Sequence, residues 1–347
     1  IVFGDWSSDV CSSDLYFFTN KGRVFKSKVY EIPATGRQAK GTPIVNIIQI
    51  GPEEKVTSIL TIKIDQNSNK FFIMGTKNGI IKRTEIEKYD NIRKTGIIAV
   101  GLRPEDELKW VKTSKGSDVI VEVTEKGRAI CYEEGEVRPM GRSASGVMGI
   151  KLRRGDNVMS MDVVTQSLAT FGDHGQTSGG PDLLLVLENG FGKRTKLSHF
   201  NLQRRGGMGI KAANCTEKTG DIIGMHITYD EKSDVVLASQ KGQFIRMALK
   251  DIKRLGRDTQ GVTLMHLKND DQVASVGLIE SEDSLDQVKI APLPLSEEKS
   301  TSKKEPQKPA PKTPQLKNQS PKTPDRPSDT PPPTDDLIIN NYHEQNE

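Results

Sequence analysis

The chain has 347 residues, and 50 lysines and arginines against 46 acidic residues leave a formal net charge of +4. Hydrophobic residues make up 34% and aromatics 5%, while glycine is frequent at 31, a mix that suits short strands and tight turns better than long packed helices. No run approaches the ~18 apolar residues of a membrane span, no charged segment precedes an apolar stretch, so no signal peptide is expected, and Cys11, Cys131 and Cys215 form no CxxC or even pairing, so the chain reads as a reduced cytoplasmic protein.

Residues 1–15, IVFGDWSSDVCSSDL, repeat an SSD unit and lack strand alternation. They read as a leader foreign to the fold, an artefact at a truncation point, with a native loop as the alternative. A strand-like run opens at Tyr16, and from there one unit recurs five times. A turn signal marks each copy: NKGRVF, KNGIIKR, EKGRAI, ENGFGKR and QKGQFIR, with turn glycines Gly22, Gly79, Gly127, Gly190 and Gly242. An apolar strand precedes each glycine and a shorter strand carrying a basic residue follows. That is a hairpin, because glycine accepts the positive φ of the turn.

A second glycine follows at Gly41, Gly96, Gly146, Gly207 and Gly261, offset by 19, 17, 19, 17 and 19 residues. Next come an apolar strand (TPIVNIIQI, IIAVGL, VMGIKL, MGIKAA, VTLMHL) and an acidic turn at Glu54, Asp106, Asp156, Asp221 or Asp271. A fourth strand closes the unit. Four short strands in about 50 residues are the size of a propeller-type blade. The fold class is therefore all-β: a propeller-like β-pinwheel of about five visible four-stranded blades, spanning 16–285. Residues 286–347 are expected to be a disordered tail, because 12 of the 18 prolines lie between Pro292 and Pro333.

Basic residues recur at two places in the unit. One follows the hairpin turn: Arg23, Lys26, Lys82, Arg83, Arg128, Lys193, Arg194 and Arg246. The other precedes the second glycine: Arg37, Lys40, Arg93, Lys94, Arg142, Arg204, Arg205 and Arg257. In equivalent blades these positions share one rim, and a basic stripe suits bent duplex DNA, whose weak phosphate contacts sum through counterion release. No aromatics interleave with the basic segments, which disfavours single-strand stacking. GFGK at Gly190 lacks the full phosphate-loop pattern and falls on a hairpin turn. The histidines show no metal-ligand spacing, and no nucleophile–base set stands out.

FFTNKGRVFKSKVYEIPATGRQAKGTPIVNII, FIMGTKNGIIKRTEI, ENGFGKRT and GRDTQGVTL resemble, in order, blades of the C-terminal β-pinwheel of bacterial gyrase A subunits, which has six blades. QRRGGMG, comprising Gln203, Arg204, Arg205, Gly206, Gly207, Met208 and Gly209, resembles that family's gyrase-A box, with Met208 in place of a lysine and in a later blade than usual. Guanidiniums beside glycines would let backbone amides approach phosphates. The resemblance implies a domain that wraps double-stranded DNA for a type II topoisomerase introducing negative supercoils. It further implies two partners, a gyrase B subunit plus a second A subunit (A2B2), with ATP and Mg bound elsewhere and no cofactor in this fragment. A cytoplasmic, nucleoid-associated location follows. No tyrosine here follows an arginine, as the family's cleavage tyrosine does. The alternatives are the related domain of topoisomerase IV and a propeller-type protein-interaction module.

Overall fold

The computed structural model describes residues 13–279, apart from 35, 37–38, 63–68, 167–170, 173–179 and 269. Arg37, Cys11, His174 and the Pro-rich segment, all singled out above, lie outside the described residues. The first repeat supplies β1 (Asp14–Thr19), β2 (Arg23–Lys28) and β3 (Val56–Ile62). The second supplies β4 (Phe71–Thr76), β5 (Ile80–Glu85), β6 (Ile97–Ile98) and β7 (Leu108–Ser114). The third supplies β8 (Val119–Thr124), β9 (Arg128–Glu133), β10 (Val147–Met148) and β11 (Val158–Val164). The fourth supplies β12 (Asp182–Leu187), β13 (Phe191–Lys196), β14 (Ile210–Lys211) and β15 (Ile222–Thr228), and the fifth β16 (Asp234–Ser239), β17 (Phe244–Ala248), β18 (Val262–Thr263) and β19 (Val273–Ile279).

The blades are not built as the sequence pattern suggests. In the second to fifth repeats the two-residue strand after the second glycine leaves its own blade and pairs with the preceding one. The sheet orders are β6-β2-β1-β3, β10-β5-β4-β7, β14-β9-β8-β11 and β18-β13-β12-β15. The fifth sheet, β17-β16-β19, holds three strands. In the first repeat, TPIVNIIQI forms a single 3-10 turn (Ile44–Asn46) rather than a strand. Residues 13–15 also correct the sequence reading: Asp14 and Leu15 pair with Lys28 and Ser27 inside β1, so these residues belong to the first blade.

The exchange is fixed by one carbonyl per blade. Gly22 O accepts the amides of Ala99 (2.8 Å) and Val100 (3.1 Å), Gly79 O those of Gly149 and Ile150, Gly127 O those of Ala212 and Ala213, and Gly190 O those of Leu264 and Met265. These turns sit at φ near +80°. A Cβ on Gly190 would also lie 2.3 Å from the Met265 carbonyl, so both conformation and space demand glycine. In the third and fifth repeats a carbonyl likewise crowds the second glycine, 2.6 Å from where a Cβ on Gly146 or Gly261 would stand, and here the fourth repeat needs correction. Gly209, not Gly207, is its equivalent: φ is +63°, a Cβ would lie 2.5 Å from Ala129 O, and β14 follows at once. Gly209 stands nineteen residues after Gly190, the spacing of the first, third and fifth repeats.

The inner central strands are covered on both faces by neighbouring blades and read as continuous apolar runs, while the far face of β1 is covered by Val29 and Ile48 of its own repeat; all six residues of β1, β8 and β12 are buried, whereas β16 in the last repeat alternates. The core therefore lies between blades. Tyr16 and Phe18 of the first blade meet Phe72 of the second edge-to-face at 5.4 and 5.2 Å. The acidic turns close the hairpins: Asp106 accepts the Thr76 hydroxyl (2.7 Å) and the Asn78 amide (3.0 Å), and Asp156 accepts the Lys126 amide (3.0 Å).

Gly242 has a similar φ, +83°, but nothing lies within 4 Å of where an added Cβ would stand. Gly242→Ala should therefore cost only the left-handed backbone term, about 1–2 kcal/mol. Gly190→Ala meets a carbonyl as well and should cost more than Gly242→Ala in urea denaturation.

Candidate nucleic-acid interface

Between hairpin and second glycine the chain crosses onto the preceding blade by a repeated route. Met140, Gln203 and Leu255 donate their amides to the carbonyls of Arg83, Cys131 and Arg194, each at 2.8 Å. A six-residue loop follows: GRSASG (141–146), RRGGMG (204–209) and GRDTQG (256–261), with GRQAKG (36–41) its counterpart in the first repeat. Successive loops are tied together. The amide five residues after one loop's last glycine donates to the fourth residue of the next loop: Gly101 to Ala144 O, Lys151 to Gly207 O and Asn214 to Thr259 O, at 3.1, 2.8 and 3.1 Å. The box-like motif is thus one member of a series.

The two basic clusters of the unit have different fates. Most of the hairpin cluster is structural. Lys82 and Lys193 are fully buried. The Lys193 ammonium sits in the loop that follows, donating to the carbonyls of Gly256 (2.8 Å), Arg257 (2.7 Å) and Thr259 (3.0 Å). Lys82 reaches the carbonyls of Ala99 (2.6 Å) and Arg142 (2.5 Å) in the same manner. Burial pulls Lys193 down to about 8 and Lys82 to about 7. Arg83 pairs with buried Glu134 at 3.0 Å, and Arg194 with buried Asp182. Lys26 bridges to Asp14 at 2.7 Å and lies over the Tyr16 ring. Arg23 bonds Glu54 and the Thr95 carbonyl, and Arg128 bonds the Met208 and Gly209 carbonyls, so both brace a loop from outside. Of this cluster only Arg246 is well exposed, and it pairs with Asp234 at 2.6 Å. The expectation that the hairpin cations face a ligand is therefore corrected for Lys82, Arg83, Lys193 and Arg194: a charge placed in a packed blade needs internal acceptors, and it has them.

The loop cluster is different. Lys40, Arg93, Lys94, Arg142 and Arg204 are exposed, and none forms an ion pair with a described residue. Arg205 and Arg257 are half-buried anchors. Arg205 Nε donates to the Glu136 carbonyl and Nη1 to the Met148 carbonyl, both at 3.0 Å; Arg257 Nη1 makes the equivalent bond to Lys211 O at 3.2 Å. In the box-like loop Gly206 N donates to Gly149 O, while the Gly207 and Met208 amides bond no described residue. Arg204 and these two amides are the part of the motif open to an anion. Sequence reading missed Arg103, Arg153 and Arg154, exposed in the turns just past the tie residues Gly101 and Lys151. The signal was present as a basic residue seven positions after Gly96 and Gly146.

No group of metal-ligating residues occurs among the described residues. The family described as the DNA gyrase C-terminal domain, a beta-propeller, matches residues 13–63, 70–115, 118–165, 182–228 and 233–280, which are the five repeats. The chain belongs to this family. Among curated relatives, the DNA gyrase A subunit of Staphylococcus epidermidis (strain ATCC 12228 / FDA PCI 1200) is 38% identical over 267 residues, covering 77% of this chain and 29% of that protein. Its counterpart from Staphylococcus aureus (strain NCTC 8325 / PS 47) is 36% identical over 266 residues, with the same shares. The chain thus spans less than a third of the relatives it matches. Two solved structures share the fold at 24% identity: the C-terminal domain of DNA topoisomerase IV (TM-score 0.69; 81% of this chain, 85% of that one) and the DNA gyrase A C-terminal domain (TM-score 0.63; 78% and 83%).

Beneath the box-like loop lies an unusual carboxyl. Glu122 is fully buried, accepts the Tyr132 hydroxyl at 2.9 Å, and leaves Oε1 without a partner. Burial raises it from 4.5 to about 8. The unfolded chain loses this proton near 4.5 and the folded chain keeps it to about 8, so its contribution to stability falls as pH rises through that window. Glu122→Gln should remove this part of the pH dependence, read as a flatter curve of thermal midpoint against pH. Lys193→Ala should lower stability, because it strips the Arg257 carbonyl of its donor and removes one donor each from the Gly256 and Thr259 carbonyls, whereas Arg204→Ala should leave the denaturation midpoint unchanged.

Proposed function

We propose that the loops of successive blades bind duplex DNA along their exposed arginines, with little sequence preference, and that in the whole protein this binding wraps DNA. The observation that carries this reading is the recurrence of exposed, unpaired cations on loops that backbone hydrogen bonds hold in register: Arg93 and Lys94, Arg142, and Arg204. Such spacing serves a polyanion with a regular backbone. Each contact is weak, and several together can offset the roughly 1–6 kcal/mol needed to bend 20–30 bp of duplex. The buried hairpin cations support the same reading by fixing the loops before any ligand arrives.

In the whole protein the reading extends to a gyrase that introduces negative supercoils, with a second A subunit plus a B subunit that binds ATP and Mg. Its support is the family membership and the curated gyrase A relatives. A topology assay on relaxed plasmid with the complete subunits tests that extension. Negative supercoils are expected; decatenation without supercoiling would point to the topoisomerase IV alternative.

For the chain itself, gel-shift titrations over a salt series should show duplex binding that weakens steeply with salt. Arg142→Ala combined with Arg204→Ala should lower the slope of log affinity against log salt by about 2, near 0.9 per lost phosphate contact, and equally for unrelated sequences. Absence of duplex binding at about 50 mM salt, where such contacts are strongest, would sink the proposal.

A further inference from the structure

Phosphate contacts leave one feature of the loop rim without a role. The exchanged strands β6 and β10 each end in a large apolar residue that points outward: Ile98 is 55% exposed and Met148 is 43% exposed. The two are equivalent. Each is the second residue after its loop glycine and pairs with the residue after the preceding turn glycine, Arg23 or Ile80. The next two strands carry Lys211 and Thr263 at this place. A single exposed apolar residue needs no explanation, but two at matched places beside arginines do. Ile98 shares a shallow groove with Ile97, Arg142 and Ser143. Met148 lies against Gly206 of the box-like loop, within about 4 Å of where a Cβ there would stand, and its carbonyl holds Arg205.

We propose that Ile98 and Met148 are minor-groove contacts that bend DNA at the first two exchanged strands, while the later two, with Lys211 and Thr263, engage phosphates only. This rests on the rim being a duplex-DNA surface. The flanking loops present unpaired Arg93, Lys94, Arg142 and Arg204, so the partner must be a polyanion. An apolar side chain between such cations gains nothing from a phosphate. It fits the sugar and base edges of the minor groove, where arginine is drawn by the negative potential of a narrowed groove and Ile or Met can open a base step.

The test is a double variant, Ile98→Ser with Met148→Ser, in the full chain. Both sites are exposed, and thermal unfolding checks that the fold is kept. On an end-labelled duplex at saturation, energy transfer between the ends should fall relative to wild type. Affinity should drop less than about threefold and the salt slope should not change, because phosphate contacts carry most of the binding. A minor-groove ligand such as netropsin should displace wild type more readily than the variant. Unchanged energy transfer, or equal displacement by netropsin, overturns this inference while leaving DNA binding intact. If wild type itself fails to bind the duplex, the DNA reading falls first and this inference with it.

Discussion

The structure depends on one hydrogen-bonded lock, repeated at four places: the carbonyl of a turn glycine accepting two consecutive amides from the next repeat. It explains several features at once. The turn must be glycine, because φ is positive and the partner's own carbonyl approaches within van der Waals distance of the missing Cβ. A repeat cannot complete a blade alone, since its outer strand comes from its successor. The apolar surface is then buried between blades, as where Tyr16 and Phe18 meet Phe72, so neighbours stabilise one another as in other repeat architectures.

The lock also decides where charge can go. Chain that crosses to the preceding blade must turn sharply, and its carbonyls point inward with no strand to pair with. In the second and fourth blades a lysine from the hairpin fills that space and satisfies them: Lys82 holds the Arg142 carbonyl, and Lys193 holds those of Gly256, Arg257 and Thr259. In the third blade Ile130 takes the lysine's position, and the loop above it is the glycine-rich one; a Cβ on Gly207 would stand 3.5 Å from Ile130 Cδ1. The box-like loop thus packs over an apolar side chain instead of an ammonium, and its Gly207 and Met208 amides bond no described residue.

Much of this was legible in the sequence. The five hairpins, their glycines and the acidic turns could be read because each has a strong local cause: a positive φ, an alternating apolar run, a carboxylate that closes the turn. The strand exchange was not legible. Two-residue strands such as Ile97–Ile98 carry no periodicity, and nothing local says which sheet they join. In the GG-x-G run Gly207 looks equivalent to the other second glycines; the nineteen-residue spacing from Gly190 was a cue for Gly209, and its contact with Ala129 decides it. The hairpin lysines misled for a different reason. Charge implies solvent unless acceptors are supplied from elsewhere, and here they come from the next repeat, 17 and 60 residues away in sequence for Lys82 and more than 60 for Lys193. The one cue was positional: Lys82 and Lys193 occupy the place of Phe25, Ile130 and Ile245.

On the proposed reading, the division between buried and exposed cations bears on what a wrapping surface requires. If every basic residue faced outward on a flexible loop, DNA would have to order those loops as it bound, and the bending cost would come on top of that entropy. Here the ordering is done during folding. Lys82 and Lys193 shape loops from within, Arg23 and Arg128 brace them from outside, and the interloop bonds from Gly101, Lys151 and Asn214 fix the step from one blade to the next. What remains exposed, Arg142 and Arg204 with their neighbours, is then carried on a spacing set by the blades rather than by the ligand. A duplex that follows these positions conforms to the protein, which is the condition for protein-directed bending.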